Sequence, residues 1–328
     1  MITVTCSIGQ SVLRSAIRLR DNYITRKTIP NMPAGEGVTI VYNNETNRYK
    51  VGNPINRNAI LLLLLLHLSH PDSNGIIRSF DCDEAADILG CHKKTVVNNL
   101  KILDRENYIF IQKRDIPYHY SVIFCHYKTY FNKAKDGGRG YITLTRSTFD
   151  QLCKMPTLNS LRLAIRSIID TEEALENKTR IQEKSYRELK RDLPNYVTRE
   201  KIEEAICCDA FRDMFHVTAK KYTINVMLKD EYHIIRQKRE LQSSCMKQAA
   251  ALVMSLNKKS KNKQHRLILS DTDKKDIAQI SLTYPVETIL KSLELIFINY
   301  IQAEKAIESL GALIRTLADQ YHSFNSAA

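Results

Sequence analysis

The chain has 328 residues, enough for two or three domains that each bury a core of their own. Lys and Arg total 49 against 36 Asp and Glu, a formal net charge of +13 that favours a polyanionic partner and leaves the fold open. Hydrophobic and charged fractions of 43% and 26% are those of a folded soluble chain, so extended disorder is excluded. The 8 cysteines form no CxxC pair, which argues against a zinc ribbon or a disulfide framework and for a reducing, cytoplasmic setting. The most apolar run, Ile60–Leu66, is far shorter than the roughly 18–20 residues that span a bilayer. No membrane association is therefore expected. HExxH, GxSxG and DxD clusters with supporting context are absent, so neither catalysis nor a metal or other cofactor is expected. Cys91-His92 and Cys125-His126 are adjacent pairs whose members project to different faces. Each reads as a packed Cys beside an exposed His.

In chain order, residues 1–55 read as an N-terminal extension. Gln10–Arg20 predicts a short helix with Arg14 and Arg18 one turn apart, and Arg20, Arg26 and Lys27 extend its basic character. A solvated face is the plainer reading, a DNA-contacting arm the sharper one. Val38–Tyr42 and Arg48–Val51 flank a polar Asn43–Asn47 loop and predict a hairpin. Asn56–Ser69 holds the leucine run Leu61–Leu66, and apolar character on all sides predicts a helix sandwiched between other elements. Pro71–Gly75 ends it, and Ile76–Phe80 is strand-like.

Phe80–Val122 is the most informative stretch. Asp81 or Asp83 can cap a short helix bearing Ala85, Ala86 and Leu89, and Gly90 supplies a tight turn where a side chain would crowd the bend. Val96, Leu100 and Leu103 then recur at helical spacing toward a core, which leaves Lys93, Lys94, Thr95, Val97, Asn98 and Lys101 facing outward. Two strands, Tyr108–Gln112 and Tyr118–Phe124, are joined by a tip holding Lys113, Arg114, Asp115 and Pro117.

A helix, a Gly turn, a polar-faced second helix and a basic-tipped hairpin, in that order, resemble the winged helix-turn-helix DNA-binding superfamily. The resemblance implies that Lys93–Lys101 enters the major groove of duplex DNA while the hairpin acts as a wing. Lys93 and Lys94 would reach guanine acceptors or phosphates, and Asn98 has the paired donor and acceptor that read adenine. Val97 would meet a thymine methyl, and Lys113 and Arg114 would neutralise phosphates. Helical-hairpin packing without DNA is the bland alternative.

Lys133–Gly140 clusters glycines among charges and predicts a flexible basic linker; it lacks the spacing of a P-loop. Beyond it the order recurs. Tyr141–Leu144 is strand-like, and Leu158–Ala174 is a helix with Leu161, Ile165, Ile168 and Ile169 on one face. Ser185 caps a helix carrying Tyr186, Leu189 and Leu193; Pro194–Tyr196 turns; Thr198 caps a helix through Ile206. Phe215–Ala219 and Tyr222–Leu228 form a hairpin tipped by Lys220 and Lys221. Glu200, Glu203 and Glu204 on the second candidate recognition helix would repel phosphates. Lys190, Arg191, Arg199, Lys201, Lys220 and Lys221 remain candidates for holding a DNA backbone.

From Lys229 the pattern is helical. Glu231–Leu256 is long and basic, and Asn257–Arg266 is a polar basic break. Val286, Leu290, Leu293, Phe297, Tyr300, Ile307, Leu310, Ile314, Leu317 and Tyr321 then form an amphipathic stripe. The stripe needs a partner, either Glu231–Leu256 of its own chain or a second subunit.

The expected fold is mainly α with small β-hairpins (α+β): an extension at 1–55, a winged helix at 56–132, a linker at 133–140, a second winged helix at 141–228 and a helical region at 229–328 open to homodimerisation. The expected function is sequence-specific binding of double-stranded DNA, as a transcriptional regulator in the cytoplasm, associated with nucleoid or plasmid. The tandem arrangement is loosely similar to plasmid replication initiators, although the helical C-terminal third departs from that pattern. Replication initiation or segregation at repeated sites is therefore an alternative. A protein–protein adaptor that keeps the folds without binding DNA is another.

Overall fold

The structure, a computed structural model, describes residues 3–18, 22–25, 39–43, 48–52, 55–132, 140–176, 183–194, 197–259 and 266–325. The chain is mainly helical with small antiparallel sheets, and falls into two units: Ser7–Tyr232, and Met1–Cys6 together with His233–Ala328.

Strand β1 (Thr5–Gly9) leads into helix α1 (Gln10–Arg18), which buries Leu13, Ala16 and Ile17. Strands β2 (Asn22–Thr25), β3 (Thr39–Asn43) and β4 (Arg48–Gly52) form an antiparallel sheet in the order β2-β4-β3, so the expected hairpin gains a third strand. Arg20, Arg26 and Lys27 lie outside the described residues.

Helix α2 (Arg57–Leu68) starts where the Asn56 side chain accepts the Ala59 N–H at 2.9 Å. Ala59 to Leu68 are all buried, because α2 packs against helices on several sides and has no water-facing stripe. Strand β5 (Ile76–Asp81) follows. Asp81 caps helix α3 (Cys82–Leu89) by accepting the Asp83 N–H at 2.8 Å. Gly90 ends α3 at φ 61°, where a Cβ would be strained, and its N–H returns to the Ala86 and Asp87 carbonyls. His92, which the sequence did not mark as a cap, opens helix α4 (Lys93–Arg105) by accepting the Lys94 N–H on Nδ1 at 3.1 Å. Val96, Leu100 and Leu103 face the core, and buried Asn99 receives a 3.0 Å hydrogen bond from Asn56, tying α4 to the start of α2. Strands β6 (Ile109–Lys113) and β7 (His119–Phe124) complete a sheet ordered β5-β7-β6.

Strand β8 (Tyr141–Thr145) leads to helix α5 (Arg146–Cys153), capped by Thr145 and not anticipated from the sequence. Helix α6 (Leu158–Glu176) and strand β9 (Lys184–Ser185) follow. Helix α7 (Tyr186–Leu189) is closed by a full capping box between Ser185 and Glu188 and continues as a 3-10 turn at Lys190–Asp192. Helix α8 (Arg199–Cys207) begins after Thr198, which occupies the cap position without a side-chain cap bond. A further short helix, α9 (Asp209–Met214), precedes strands β10 (Phe215–Ala219) and β11 (Thr223–Leu228). The sheet order is β10-β11-β9, so in both sheets the first strand lies beside the third. These two three-stranded sheets thus share one strand order.

Residues 56–132 and 141–228, expected as separate domains, belong to one unit. Arg57 on α2 donates to the Met155 carbonyl at 2.7 Å and to that of Cys153, at the end of α5. Gln151 on α5 donates to Asp213 on α9 at 3.2 Å. Helix α5 thus lies between α2 and α9. Helix α1 bridges the two stretches too: Ser15 hydrogen-bonds Tyr108 at 3.0 Å, and Arg14 pairs with Glu173 at 2.5 Å. Of the expected flexible linker at 133–140, residues 133–139 lie outside the described residues, and the Gly140 carbonyl accepts the Gln10 N–H at 3.1 Å.

In the second unit the N-terminal residues join the C-terminal helices, the Val4 N–H donating to the Thr283 carbonyl at 3.2 Å. Helix α10 (Ile234–Lys259) extends three residues into the expected break at Asn257–Arg266, and its Asn257 side chain clamps the Leu267 N–H and carbonyl at 2.9 Å each. Helices α11 (Asp271–Ile280), α12 (Val286–Ile296) and α13 (Leu310–Asn325) pack with it. The amphipathic stripe is not one rod. A π-helical turn at Phe297–Ile301 and an irregular stretch to Ser309, with Glu304 at φ 54°, fold it back. Leu293, Phe297, Leu310 and Ile314 are buried with Cys245, Ala249 and Val253 of α10. The partner of the stripe is its own unit. No helix among the described residues is long and apolar enough to cross a membrane.

Candidate nucleic-acid interface

Helix α4 presents one exposed row, Lys94, Asn98 and Lys101, at spacings of four and three residues. Arg105 continues the row one turn on, half exposed, with Nε 3.8 Å from Glu106. It escaped the sequence reading, although extending the same spacing finds it. Lys93, Thr95 and Val97 flank the row and are half-buried. No carboxylate interrupts the row from Lys94 to Lys101.

The hairpin beside α4 ends in an ordered turn. The Arg114 N–H donates to the His119 carbonyl at 3.1 Å, and its guanidinium donates to the Arg78 carbonyl at 2.5 Å, which also accepts Ser121 Oγ at 2.8 Å. Arg114 therefore spends one donor inside the sheet and keeps its exposed remainder for solvent or ligand. Lys113, expected at the tip, is the last residue of β6 and is exposed.

The second copy differs in charge. Arg199 donates to Glu203 at 2.8 Å and to the Lys221 carbonyl at 2.9 Å, and lies 4.3 Å from the Tyr186 ring centroid. Lys201 pairs with Glu204 at 2.6 Å, and Lys220 pairs with Glu183. The Tyr186 hydrogen bond, then Arg199, holds the Glu203 carboxyl below the usual carboxylate range; Lys220, then Thr223, does the same for Glu183. Lys221 is exposed beside Tyr222, while Lys190 and Arg191 sit on the 3-10 turn after α7. Arg199, Lys201 and Lys220 are thus each paired with a carboxylate of the chain.

Arg14 and Arg18, expected as a solvated face or a DNA-contacting arm, are both ion-paired within the unit, Arg18 while keeping about half of its side chain in water. Arg14 pairs with Glu173 at 2.5 Å and Arg18 with buried Asp192 at 3.1 Å. Burial pushes the Cys82 thiol up to about 12 and that of Cys153 to about 11, so both stay protonated and act as core side chains. Comparison with protein-family models, with curated proteins and with solved structures finds no match to this chain.

Proposed function

We propose that this chain is a sequence-specific duplex DNA-binding protein built on two winged helices, in which α4 reads the major groove and β6–β7 is the wing. The observation that carries this reading is the row Lys94, Asn98 and Lys101: exposed, free of carboxylates and set beside a hairpin carrying Lys113 and Arg114. The amide of Asn98 offers the donor and acceptor that match the adenine edge. Lys94 and Lys101 reach guanine acceptors or phosphates, and the wing cations fix register by neutralising neighbouring phosphates. The net charge of +13 supplies the long-range attraction.

A footprint on the DNA flanking the gene tests the reading; absence of any protected site would sink it. Asn98→Ala should weaken binding to the protected site by about 1–3 kcal/mol while sparing random duplex. Equal losses on both, in gel-shift titrations, would remove Asn98 from base reading. Lys113→Ala should lower the slope of log affinity against log salt by about 0.9 on either DNA. An unchanged slope would take the wing off the phosphates.

Transcriptional regulation is the first role for such binding. The repeat of one strand order within a single unit favours a second: initiation of plasmid replication, or segregation, at iterated sites. A single pseudo-palindromic footprint supports the regulator, and a ladder of repeats supports the other. The self-paired charges of α8 favour an auxiliary part for the second copy, backbone contact through Lys221, Lys190 and Arg191 or adaptor contacts with protein.

A further inference from the structure

Three elements converge on one ammonium at the start of α4. Lys93 Nζ lies 3.2 Å from Asp83 Oδ1, in the first turn of α3, and 4.4 Å from the ring centroid of Tyr118, in the hairpin turn. Tyr118 sits at φ 62°, a conformation that bulky side chains rarely adopt and that persists only where surrounding contacts enforce it. The enforcing contact is visible: the Tyr118 carbonyl accepts the Cys82 N–H at 3.1 Å, pinning the turn to the start of α3. The pinned backbone lays the ring against Lys93. The Lys93 and Asp83 side chains nevertheless remain 37% and 55% exposed, so an outside anion can reach the pair without rearranging the fold.

We propose that Asp83 and Tyr118 hold Lys93 as an internal ion pair in the free protein, and that a DNA phosphate engages Lys93 only by displacing the Asp83 carboxylate. Asp83 is then a positioning residue that restrains sequence-independent attachment. The inference rests on the duplex-DNA reading of α4. A cation that meets a phosphate ordinarily releases a condensed counter-ion from the DNA, and that release drives non-specific affinity. When the cation already holds a carboxylate, the contact exchanges one anion for another, and the freed carboxylate is left close to the phosphates. Lys93 then contributes little to attachment on arbitrary sequence, and discrimination falls more heavily on Asn98.

The experiment uses Asp83→Asn in the full chain; the cap bond of α3 survives because it uses the main-chain N–H of residue 83. On a random 20-base-pair duplex the variant should bind roughly threefold to tenfold tighter near 0.1 M salt, with the salt slope steeper by about 0.9. In a Lys93→Ala background the same substitution should change neither quantity. A second readout needs no DNA: acetylation of Lys93 by an N-hydroxysuccinimide acetate, followed by mass spectrometry, should run faster in Asp83→Asn than in the parent. Unchanged acetylation with an unchanged salt slope overturns the holding site. A gain that persists without Lys93 overturns it too, assigning the effect to simple repulsion of DNA by Asp83. Faster acetylation in a chain that binds no duplex at all overturns the DNA reading and the displacement step, leaving only the ion pair.

Discussion

Replacing Asp192 with asparagine should cost about 3–5 kcal/mol of stability, the penalty for removing one partner of a buried ion pair. Asp192 is 1% exposed and receives Arg18 Nε at 3.1 Å and Arg166 Nη1. Arg166 also pairs with Asp170 at 2.8 Å, and Asp170 with Lys184, so the carboxylate closes a network joining α1, α6, β9 and the turn after α7. Asparagine keeps the shape and one acceptor but loses the charge that answers both Arg18 and Arg166, leaving Arg166 its pair with Asp170. For a unit of this size the loss corresponds to roughly 6–20 °C in Tm. Thermal unfolding followed by circular dichroism measures it. Arg18→Ala should cost far less, because half of that side chain already meets water. A loss below about 1 kcal/mol for Asp192→Asn would show that the network is not a stabilising element of the larger unit.

Acid should destabilise the same unit through His67. Its ring is 1% exposed, and burial pushes its pKa down to about 4, only partly opposed by the hydrogen bond to the Leu63 carbonyl. Since that carbonyl can only accept, Nδ1 at 2.8 Å must carry the proton, and Nε2 is left to face the Tyr130 hydroxyl at 3.4 Å as an acceptor. Protonation would turn Nε2 into a donor in a pocket walled by Phe124, whose ring centroid is 4.1 Å away. The unfolded chain takes up this proton near pH 6.5 and the folded chain only near 4. The stability is therefore complete above about pH 6.5, falls as pH drops through that window, and levels off below 4. The full loss is about 3 kcal/mol, roughly 1.4 for each pH unit. Urea unfolding between pH 7 and 4.5 should show this slope in the wild type and a shallower one in His67→Leu. Parallel slopes would exclude His67 as the titrating group.

Local patterns made much of the fold legible. The all-apolar leucine run, the Asp81 cap, the Gly90 turn and the two strands with their basic tip each encode their own geometry, and those elements lie within a residue or two of expectation. Helices α5 and α9 were not legible. Asp209–Met214 has 6 residues and Arg146–Cys153 has 8, and neither carries an Asp cap and a closing Gly such as mark the short α3. His92 escaped because a ring nitrogen is an uncommon substitute for a hydroxyl or carboxylate cap. The C-terminal stripe revealed that it needed a partner, but its fold-back depends on residues 302–309, whose sequence lacks both Gly and Pro. The site divides in the same way. The outward row of α4 follows from helical spacing alone. The neutralisation of Lys93 and Lys220 depends on Asp83 and Glu183, tertiary neighbours that no local window connects, whereas the Arg199–Glu203 pair lies four residues apart on one helix.

The enclosure of α2 sets how the larger unit exchanges with solvent over time. An amide in a helix with a wet face can swap its hydrogen when that face frays. The amides of Leu61–Leu66 have no such face, and the helix is bounded by α3, α4 and α5. Their exchange must wait for those neighbours to separate, and separating α5 also releases its hold on α9 in the second copy. Deuterium uptake in the leucine run therefore reports the opening of both copies at once. Residues 56–132 and 141–228 are thus expected to exchange as one cooperative foldon, and leucine-run amides that exchange while those of α9 stay protected would overturn it.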